Sequence, residues 1–173
     1  NTDFYGGSLD CVPFTYAGTV DTYAQKDGSS AGVNGSRSLL VANYNVTRDV
    51  SWDELNEKGF IFGKPFESGG LTYTLRAPTV GSGVSEEGTV IPENNEWDAI
   101  RNKGYITGND SYCWGQDTFD EDDSKRSSRR FDNGELRSEG NDTCIRPVLE
   151  IPAELTEKDF KVVTLDLNGG YVW

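Results

Sequence analysis

The last third of the chain constrains the fold most strongly, because it places a long polar stretch between two short apolar segments that each contain a cysteine. The first segment holds Cys113 and Trp114, and the second runs from Cys144 to Ile151. The residues between them are almost all polar or charged and offer few side chains for a core. A rigid scaffold that carries a large polar surface is a common design among binding proteins. This pattern therefore indicates a binding module.

The three cysteines, Cys11, Cys113 and Cys144, leave two alternatives open. A bridge between Cys113 and Cys144 would hold both ends of the polar stretch. It would close a loop of roughly thirty residues, which contributes about 3 kcal/mol in the chain-entropy model. Alternatively, the cysteines are reduced and buried, since a sequence does not fix the geometry that a disulfide requires.

Length and charge limit the classes of function that the chain can have. Its 173 residues suffice for one ordinary domain. The formal net charge of −13 argues against a nucleic-acid partner, because phosphate contacts need clustered Lys and Arg. The sequence contains no histidine, which removes the commonest general base at neutral pH and the commonest zinc ligand. No apolar run is long enough to span a bilayer.

Two short helices are predicted from their terminal residues. Ser51 and Glu54 have the spacing of a capping box, and Gly59 provides the left-handed residue that ends a helix. A second helix begins at Asn94 or Asn95, where acidic residues follow at the positive end of the helix dipole.

Strands are predicted where apolar residues alternate or form short runs. Residues 12–16 alternate, and residues 39–42 form a short apolar run typical of a buried strand. Residues 60–77 contain two strand-like runs on either side of Ser-Gly-Gly, which predicts a hairpin. Residues 78–94 are predicted to be a loop, and residues 145–151 a closing strand. Two helices with few strands and a long loop region indicate an α+β domain.

The final residues differ in pattern from the rest of the chain. Residues 1–152 are predicted to form the binding domain, and 153–173 a linker with the start of a following surface-repeat domain. The alternative is that the apolar run near Leu165 forms a strand that pairs back on the main body.

The order of five motifs is more specific than any one of them. The motifs are Ser51–Leu55, Leu75-Arg76, Asn95–Asp98, Cys113–Thr118 and Arg146–Ile151. This order, over about residues 37 to 151, resembles the variable proteins of diversity-generating retroelements, which phages, archaeal viruses and many bacteria carry. The closing triplet here is Cys-Ile-Arg, where members of that family usually have Gly-Phe-Arg.

The resemblance implies a C-type lectin-like fold with two helices, a small twisted antiparallel sheet and a long structured C-terminal loop region. In that family a reverse transcriptase rewrites selected codons through errors at template adenines, so the protein samples many binding surfaces. The resemblance implies a ligand-binding surface within residues 111–143 and a macromolecular partner on another cell, either a protein or a glycan. Separately, the tail from Val163 to Gly170 resembles the first strand of small repeats in bacterial surface proteins, which implies a multidomain protein displayed outside a cell or on a virion.

Aromatic and Arg side chains dominate interface energies, and small polar residues adapt around them. By that criterion we predict the following ligand-binding residues: Ser111, Tyr112, Ser124, Arg126, Ser127, Ser128, Arg129, Arg130, Phe131, Asp132, Asn133, Glu135 and Arg137. The alternative is a solvated loop whose charges neutralise one another. Trp52, Trp97 and Trp114 are predicted to pack in the core, and Arg146 to pair within the scaffold.

The acidic block 117–123 is a candidate calcium site, because hard cations bind clustered carboxylates. It lacks the spacing and the glycine of an EF-hand loop, and the basic residues just downstream can pair with it instead. We therefore predict no metal and no cofactor. An enzyme that uses Cys113 and Cys144 as a reactive pair is a further alternative, but no basic cluster surrounds Cys113 in sequence to lower the pKa of its thiol.

The sequence thus predicts a non-enzymatic binding domain that presents a retroelement-diversified surface. It predicts no nucleic-acid partner and no insertion into a membrane. Two alternatives remain: a fixed-sequence adhesin module of a bacterial surface protein, and a calcium-dependent lectin.

Overall fold

The computed structural model describes residues 12–22, 35–47, 49–84, 90–91, 95–106, 111–119, 122–131, 134–138, 143–152, 163–165 and 171–172. These residues form a mixed α+β structure with two helices, antiparallel strand pairs and mostly strand content. The helices are α1 (Trp52–Glu57) and α2 (Glu96–Asn102). The strands are β1 (Val12–Thr22), β2 (Gly35–Ala42), β3 (Lys64–Ser68), β4 (Leu71–Arg76), β5 (Gly83–Val84), β6 (Val90–Ile91), β7 (Cys113–Phe119), β8 (Asp122–Arg129), β9 (Gly134–Ser138), β10 (Val148–Glu150), β11 (Val163–Leu165) and β12 (Tyr171–Val172).

The largest sheet has seven strands in the order β12-β11-β1-β2-β10-β4-β3. The closing strand β10 lies between β2 and β4, where Leu149 pairs with Leu40 on one side and with Leu75 on the other. This central position explains why the segment around β10 is apolar, since both neighbours and both faces of the strand are covered. The sheet is larger than the small sheet predicted from the sequence.

Neighbouring residues of the central strands serve two separate cores, because successive side chains of a strand point to opposite faces. Leu40 and Leu149 pack with Trp52 of α1 and with Trp114. Leu39, Val41 and Val148 instead pack with Trp97 and Ile100 of α2 and with the two cysteines, Cys113 and Cys144. The sheet is therefore covered on both faces, with one helix contributing to each core.

Both helix predictions are confirmed at their ends. Ser51 caps α1 and forms the reciprocal capping box with Glu54, while Gly59 follows the C-cap residue with a φ of +79°. Asn95 caps α2 through its side chain, which accepts a hydrogen bond from the backbone N–H of Asp98. These caps satisfy backbone donors that a helix of six or seven residues would otherwise leave exposed.

The predicted hairpin is present, but its first strand is shorter than the sequence suggests. Strands β3 and β4 pair antiparallel, and Gly69 and Gly70 both adopt positive φ between them, as a tight turn requires. Phe60 and Ile61 form a turn rather than a strand, and both side chains are buried. The predicted loop 78–94 also differs, since it contains the short ladder of β5 and β6.

The main correction concerns the region predicted as a long structured loop. Strands β7, β8 and β9 form a separate three-stranded antiparallel sheet there. Alternating hydrophobicity does not reveal these strands, because several of their buried positions are polar. Gln116, Asp117, Thr118, Ser127 and Ser128 are all buried. Polar residues can occupy such positions when their atoms are hydrogen bonded, as those of Gln116 and Asp117 are; the Ser127 hydroxyl, in contrast, has no hydrogen-bond partner among the described residues.

The tail strand β11 pairs antiparallel with β1, and β12 pairs with β11. The main sheet therefore continues into the last residues of the chain, as in the second alternative for the tail. The domain boundary at residue 152 stays a prediction. Neither helix in the described part of the chain has the length and hydropathy needed to cross a membrane.

Candidate functional site

Residues 111–143 form a segment whose two ends are held together. A disulfide joins Cys113 and Cys144, whose Cα atoms are 4.5 Å apart. Beside it, the Trp114 N–H donates to the Cys144 carbonyl (2.9 Å), and the Cys144 N–H donates to the Tyr112 carbonyl (3.2 Å). Of the two alternatives for these cysteines, the structure has the bridge. We refer to residues 111–143 below as the bracketed segment.

Reducing this disulfide is expected to lower the free energy of unfolding by about 3–4 kcal/mol in the chain-entropy model, because it closes a loop with a sequence separation of 31 residues. Denaturant titrations with and without reductant measure the difference. Thiol titration of the unfolded chain should find two more reactive thiols after reduction than before. Equal thiol counts would contradict the bridge.

The first strand of the bracketed segment is fixed to the scaffold by buried polar groups. Asp117 accepts a hydrogen bond from the Val80 N–H at 2.7 Å, and Gln116 donates to the Ile61 carbonyl at 2.9 Å. Both side chains are buried. These bonds compensate the cost of burying an amide and a carboxylate, and they set the position of β7 against the preceding loops.

The second strand is joined to α2 by a buried ion pair. Arg129 is 2% exposed, and its two terminal nitrogens donate to the two carboxylate oxygens of Asp98 at 2.7 and 3.0 Å. Arg129 also donates to the Val80 carbonyl. Such a two-pronged pair fixes orientation as well as distance. The same region of α2 contributes Trp97, whose ring N–H donates to the Phe131 carbonyl at 3.2 Å.

The Asp98 carboxylate makes stability depend on pH. Burial alone would raise the pKa of Asp98, but hydrogen bonds from Arg129 and Asn95 and the charges of Arg129 and Arg101 lower it overall. A lowered folded-state pKa adds stability that is present above the ordinary Asp pKa of about 3.9 and is lost as the pH falls through the folded-state pKa.

We therefore expect Asp98→Asn to cost about 2 kcal/mol at pH 7, in the range of hydrogen bonds to charged groups. The difference from the parent protein should shrink as the pH falls below about 4, because the unfolded chain begins to protonate Asp98 there while the folded protein keeps it ionised down to its lowered pKa. Urea unfolding measured at pH 7 and at steps down to about pH 3 tests this. A difference that stays constant with pH would show that the carboxylate charge is not what stabilises this contact.

A second buried network of ion pairs and hydrogen bonds joins β4, α2 and the loop that precedes β5. The guanidinium of Arg76 donates to both oxygens of Glu96 at 2.7 Å, and one of these oxygens also accepts from the Thr79 N–H. Glu150 contacts the same guanidinium at 3.0 Å and also pairs with Arg37. Burial would lower the pKa of Arg76, but the charges and hydrogen bonds of Glu96 and Glu150 raise it above its usual value. Arg76 is therefore a permanently charged scaffold residue.

The structure divides the predicted binding residues into groups. Ser111, Ser124 and Phe131 are exposed, and Tyr112, Arg126 and Arg130 are partly exposed. In contrast, Ser127, Ser128 and Arg129 are buried. Their burial contradicts the prediction that they lie on an exposed binding surface. Arg129 is buried because its charge is neutralised by Asp98. The side chains of Asp132, Asn133, Glu135 and Arg137 lie outside the described residues; positions 135 and 137 belong to β9.

Three arginines of this region lie over aromatic rings. The guanidinium of Arg126 is 4.3 Å from the Trp52 ring centroid, and that of Arg130 is 5.4 Å from the Tyr112 centroid. Arg101 of α2 is 5.7 Å from the Phe131 centroid. Stacking of this kind holds the planar guanidinium in place while its N–H groups can still reach a ligand.

The predicted core residues are confirmed. Trp52, Trp97 and Trp114 are buried, and each ring N–H donates to a backbone carbonyl. Arg146 is also buried and donates to the carbonyls of Ala42 and Asn43. Burial lowers the pKa of Arg146, and the two carbonyls provide its hydrogen-bond acceptors.

The acidic block 117–123 does not act as one cluster in its described part. Asp117 is buried against Val80, whereas Asp122 is partly exposed and accepts hydrogen bonds from Ser124. Those bonds lower the pKa of Asp122. Within the described ranges, no three His, Cys, Asp or Glu residues are grouped as metal ligands would be.

A cleft of about 310 Å³ lies on the main sheet, away from the bracketed segment. Its walls consist of Arg37, Ser38, Thr72, Thr74, Glu150, Ile151 and Pro152. The two charged groups of the cleft pair with each other, with Arg37 Nε 3.0 Å from Glu150 Oε1. This pairing leaves the cleft without an uncompensated charge to direct at a ligand.

The sequence did not indicate two of the arginine–aromatic contacts, Arg126 with Trp52 and Arg101 with Phe131. The sequence pattern places Trp52 in the core only, and no local pattern links Arg101 to an aromatic residue. Each lies far along the chain from its partner, Arg126 or Phe131, so no local spacing reveals the pair. The basic residue in the last turn of α2 was visible, but there it indicates only a favourable interaction with the helix dipole.

The fold and the site define a class: an α+β domain whose bracketed segment is held by a disulfide, an ion pair and buried hydrogen bonds, and carries partly exposed arginine and aromatic side chains. Comparison with protein-family models, with curated proteins and with solved structures finds no match to this chain.

Proposed function

We propose that the chain is a non-enzymatic binding domain that presents the exposed residues of the bracketed segment to a macromolecular partner. One observation carries this proposal: buried residues of the segment are bonded to the scaffold, while its arginine and aromatic side chains remain exposed. Arg129 and Asp117 provide the bonds to the scaffold, and Arg130 and Phe131 lie on the outside. A rigid base with interchangeable exposed side chains is what a binding surface requires.

The finer proposal is a C-type lectin-like fold that serves as the variable protein of a diversity-generating retroelement. The order of sequence motifs between residues 37 and 151 supports it. The two capped helices and the position of the closing strand within an antiparallel sheet agree with that fold. The disulfide agrees with a location outside the cell or on a virion, where oxidising conditions preserve such bonds.

The disulfide also argues against the reactive-cysteine alternative. A nucleophilic cysteine acts as an accessible thiolate, whereas Cys113 and Cys144 are bonded to each other and buried. A protein or glycan on another cell therefore remains the proposed kind of partner.

The experiment is to sequence this gene and its flanks across a natural population. If the proposal is right, substitutions concentrate at the codons of exposed positions in the segment, such as Ser111, Tyr112, Ser124, Arg130 and Phe131. The substituted codon positions also correspond to adenines in a nearby template copy of the segment.

Two sets of codons in the same gene provide matched controls. The buried positions Asp117, Ser128 and Arg129 should stay constant, because substitutions there would break the scaffold. The exposed positions Glu67 and Thr72 of the hairpin should vary no more than the rest of the gene. Equal variation at all exposed positions, with no template copy, would overturn the proposal and favour a fixed adhesin module.

A further inference from the structure

One end of the β7–β8 pair carries a compact group of arginine and aromatic side chains. Arg130 lies over the ring of Tyr112, and Arg101 of α2 lies over the ring of Phe131. Arg130 and Phe131 are consecutive residues, so the two pairs are next to each other along the chain. We call Arg101, Tyr112, Arg130 and Phe131 the arginine–aromatic patch.

The backbone of the patch is fixed in place. The Phe131 carbonyl accepts from the Trp97 ring N–H, and the preceding Arg129 is bonded to Asp98 through both carboxylate oxygens. On the other strand, Tyr112 immediately precedes the disulfide-bonded Cys113. Folding therefore already orders part of this surface, so a partner that binds here loses less conformational entropy on binding.

Among the described residues, the local charge of the patch is opposite in sign to the net charge of the whole chain. Within the described residues, Arg101 and Arg129 share the one carboxylate of Asp98, while Arg130 lies over the Tyr112 ring. That carboxylate is bonded to Arg129 at 2.7 Å and is 3.6 Å from Arg101. No carboxylate of the described residues pairs with Arg130, which is partly exposed. The net charge of the chain is −13, so this positive patch lies on an otherwise acidic protein.

We infer that the arginine–aromatic patch binds a polypeptide segment that presents Asp or Glu beside an apolar side chain. This inference rests on the proposed binding function and specifies the chemistry of the partner. Guanidinium groups match carboxylates in shape and charge, and the exposed ring of Phe131, 38% accessible, adds apolar contact area. The partner segment carries few acidic groups, because the net charge of −13 repels a strongly anionic chain.

The test is a selection from a random peptide library, displayed on phage, against the intact chain. Enriched peptides should contain Asp or Glu next to an aromatic or aliphatic residue. One enriched peptide and its amide copy, with Asn or Gln replacing the acid, are then titrated against six proteins: the parent, Arg130→Gln, Arg130→Lys, Arg126→Gln, Arg101→Gln and Lys125→Gln.

Arg130→Gln should lower the affinity for the acidic peptide about tenfold, which is the loss expected when one hydrogen-bonded charge pair is removed. Arg101→Gln should have a smaller effect, since Asp98 already competes for that side chain. Lys125→Gln is the matched control: it removes one positive charge from the same strand, next to Asp122 rather than in the patch, and should leave the affinity unchanged. The amide copy should bind the parent and Arg130→Gln equally, because the pair is already broken.

Arg130→Lys guards against a general loss of structure. It keeps the charge but not the planar fork, so an intermediate affinity is expected. Melting curves of all variants check that they are folded. Absence of enrichment, enrichment without acidic residues, or an affinity that Arg130→Gln leaves unchanged would each overturn the inference.

Two outcomes separate this inference from the binding function on which it rests. Peptides that lose affinity on Arg126→Gln but not on Arg130→Gln would overturn the patch and leave a binding surface elsewhere on the segment. Binding only to carboxylated sugars on a glycan array, lost on Arg130→Gln, would overturn the polypeptide partner. The population sequencing described above tests the binding function independently of any ligand.

Discussion

Replacing Glu96 with glutamine is expected to lower the free energy of unfolding by about 3–5 kcal/mol, the usual result of removing one partner from a buried ion pair. Glu96 is fully buried and accepts three hydrogen bonds, two from Arg76 and one from the Thr79 N–H. Glutamine replaces one acceptor oxygen with an NH2 group that faces a donor. It also removes the charge that compensates a buried guanidinium. Chemical denaturation at neutral pH measures the loss.

Glu150→Gln is the matched control for this experiment. Glu150 contacts the same arginine, but its side chain is 28% exposed, so solvent can replace the lost interaction. The expected cost is about 1 kcal/mol or less, as for exposed ion pairs. If the two variants lose equal stability, the role assigned to burial at Glu96 is wrong.

Replacing Trp97 with alanine is expected to cost about 3–5 kcal/mol, as for other large aromatic deletions in cores. The Trp97 side chain is fully buried in the core between α2 and the central strands, and its ring N–H supports the Phe131 carbonyl. The variant therefore loses apolar burial and also the contact that positions the end of β8. Thermal and denaturant unfolding measure the first effect.

Tyr105→Ala provides the comparison for Trp97→Ala. Tyr105 follows α2 closely and is 39% exposed, so its removal should change stability by no more than about 0.5 kcal/mol. A Trp97→Ala protein as stable as Tyr105→Ala would contradict the position of α2 against the sheet. In the peptide titrations, Trp97→Ala should also weaken binding, because Phe131 belongs to the arginine–aromatic patch.

The helices could be predicted from the sequence because their signals are local. Ser51 and Glu54 are three residues apart, so the capping box depends on no other part of the chain. The turn at Gly69 and Gly70 is equally local, since both residues supply positive φ within one hairpin. The central strand β10 could be predicted because it lies in a short, mostly apolar segment in which Val148 and Leu149 are both buried.

Strands β7, β8 and β9 could not be predicted in this way. Their polar residues resemble a solvated loop, and only distant groups make those residues suitable for burial. Arg129 becomes a scaffold residue because Asp98 of α2 is opposite it, and Asp117 because the Val80 N–H is nearby. The same residue types in Arg130 and Asp122 stay at the surface. Composition predicted a binding surface but could not assign each residue to the scaffold or the surface.

The sequence alone determined the elements whose causes lie within a few residues: the two helix caps, the hairpin turn, the apolar closing strand and the aromatic core. Tertiary structure alone decided that the bracketed segment is a sheet, that Cys113 and Cys144 are bonded, and which arginines are buried. The physical reason is that a buried charge is stable only beside a partner of opposite charge or a hydrogen-bonding backbone group. Here these partners come from segments 20 to 104 residues away along the chain, and their positions exist only after folding.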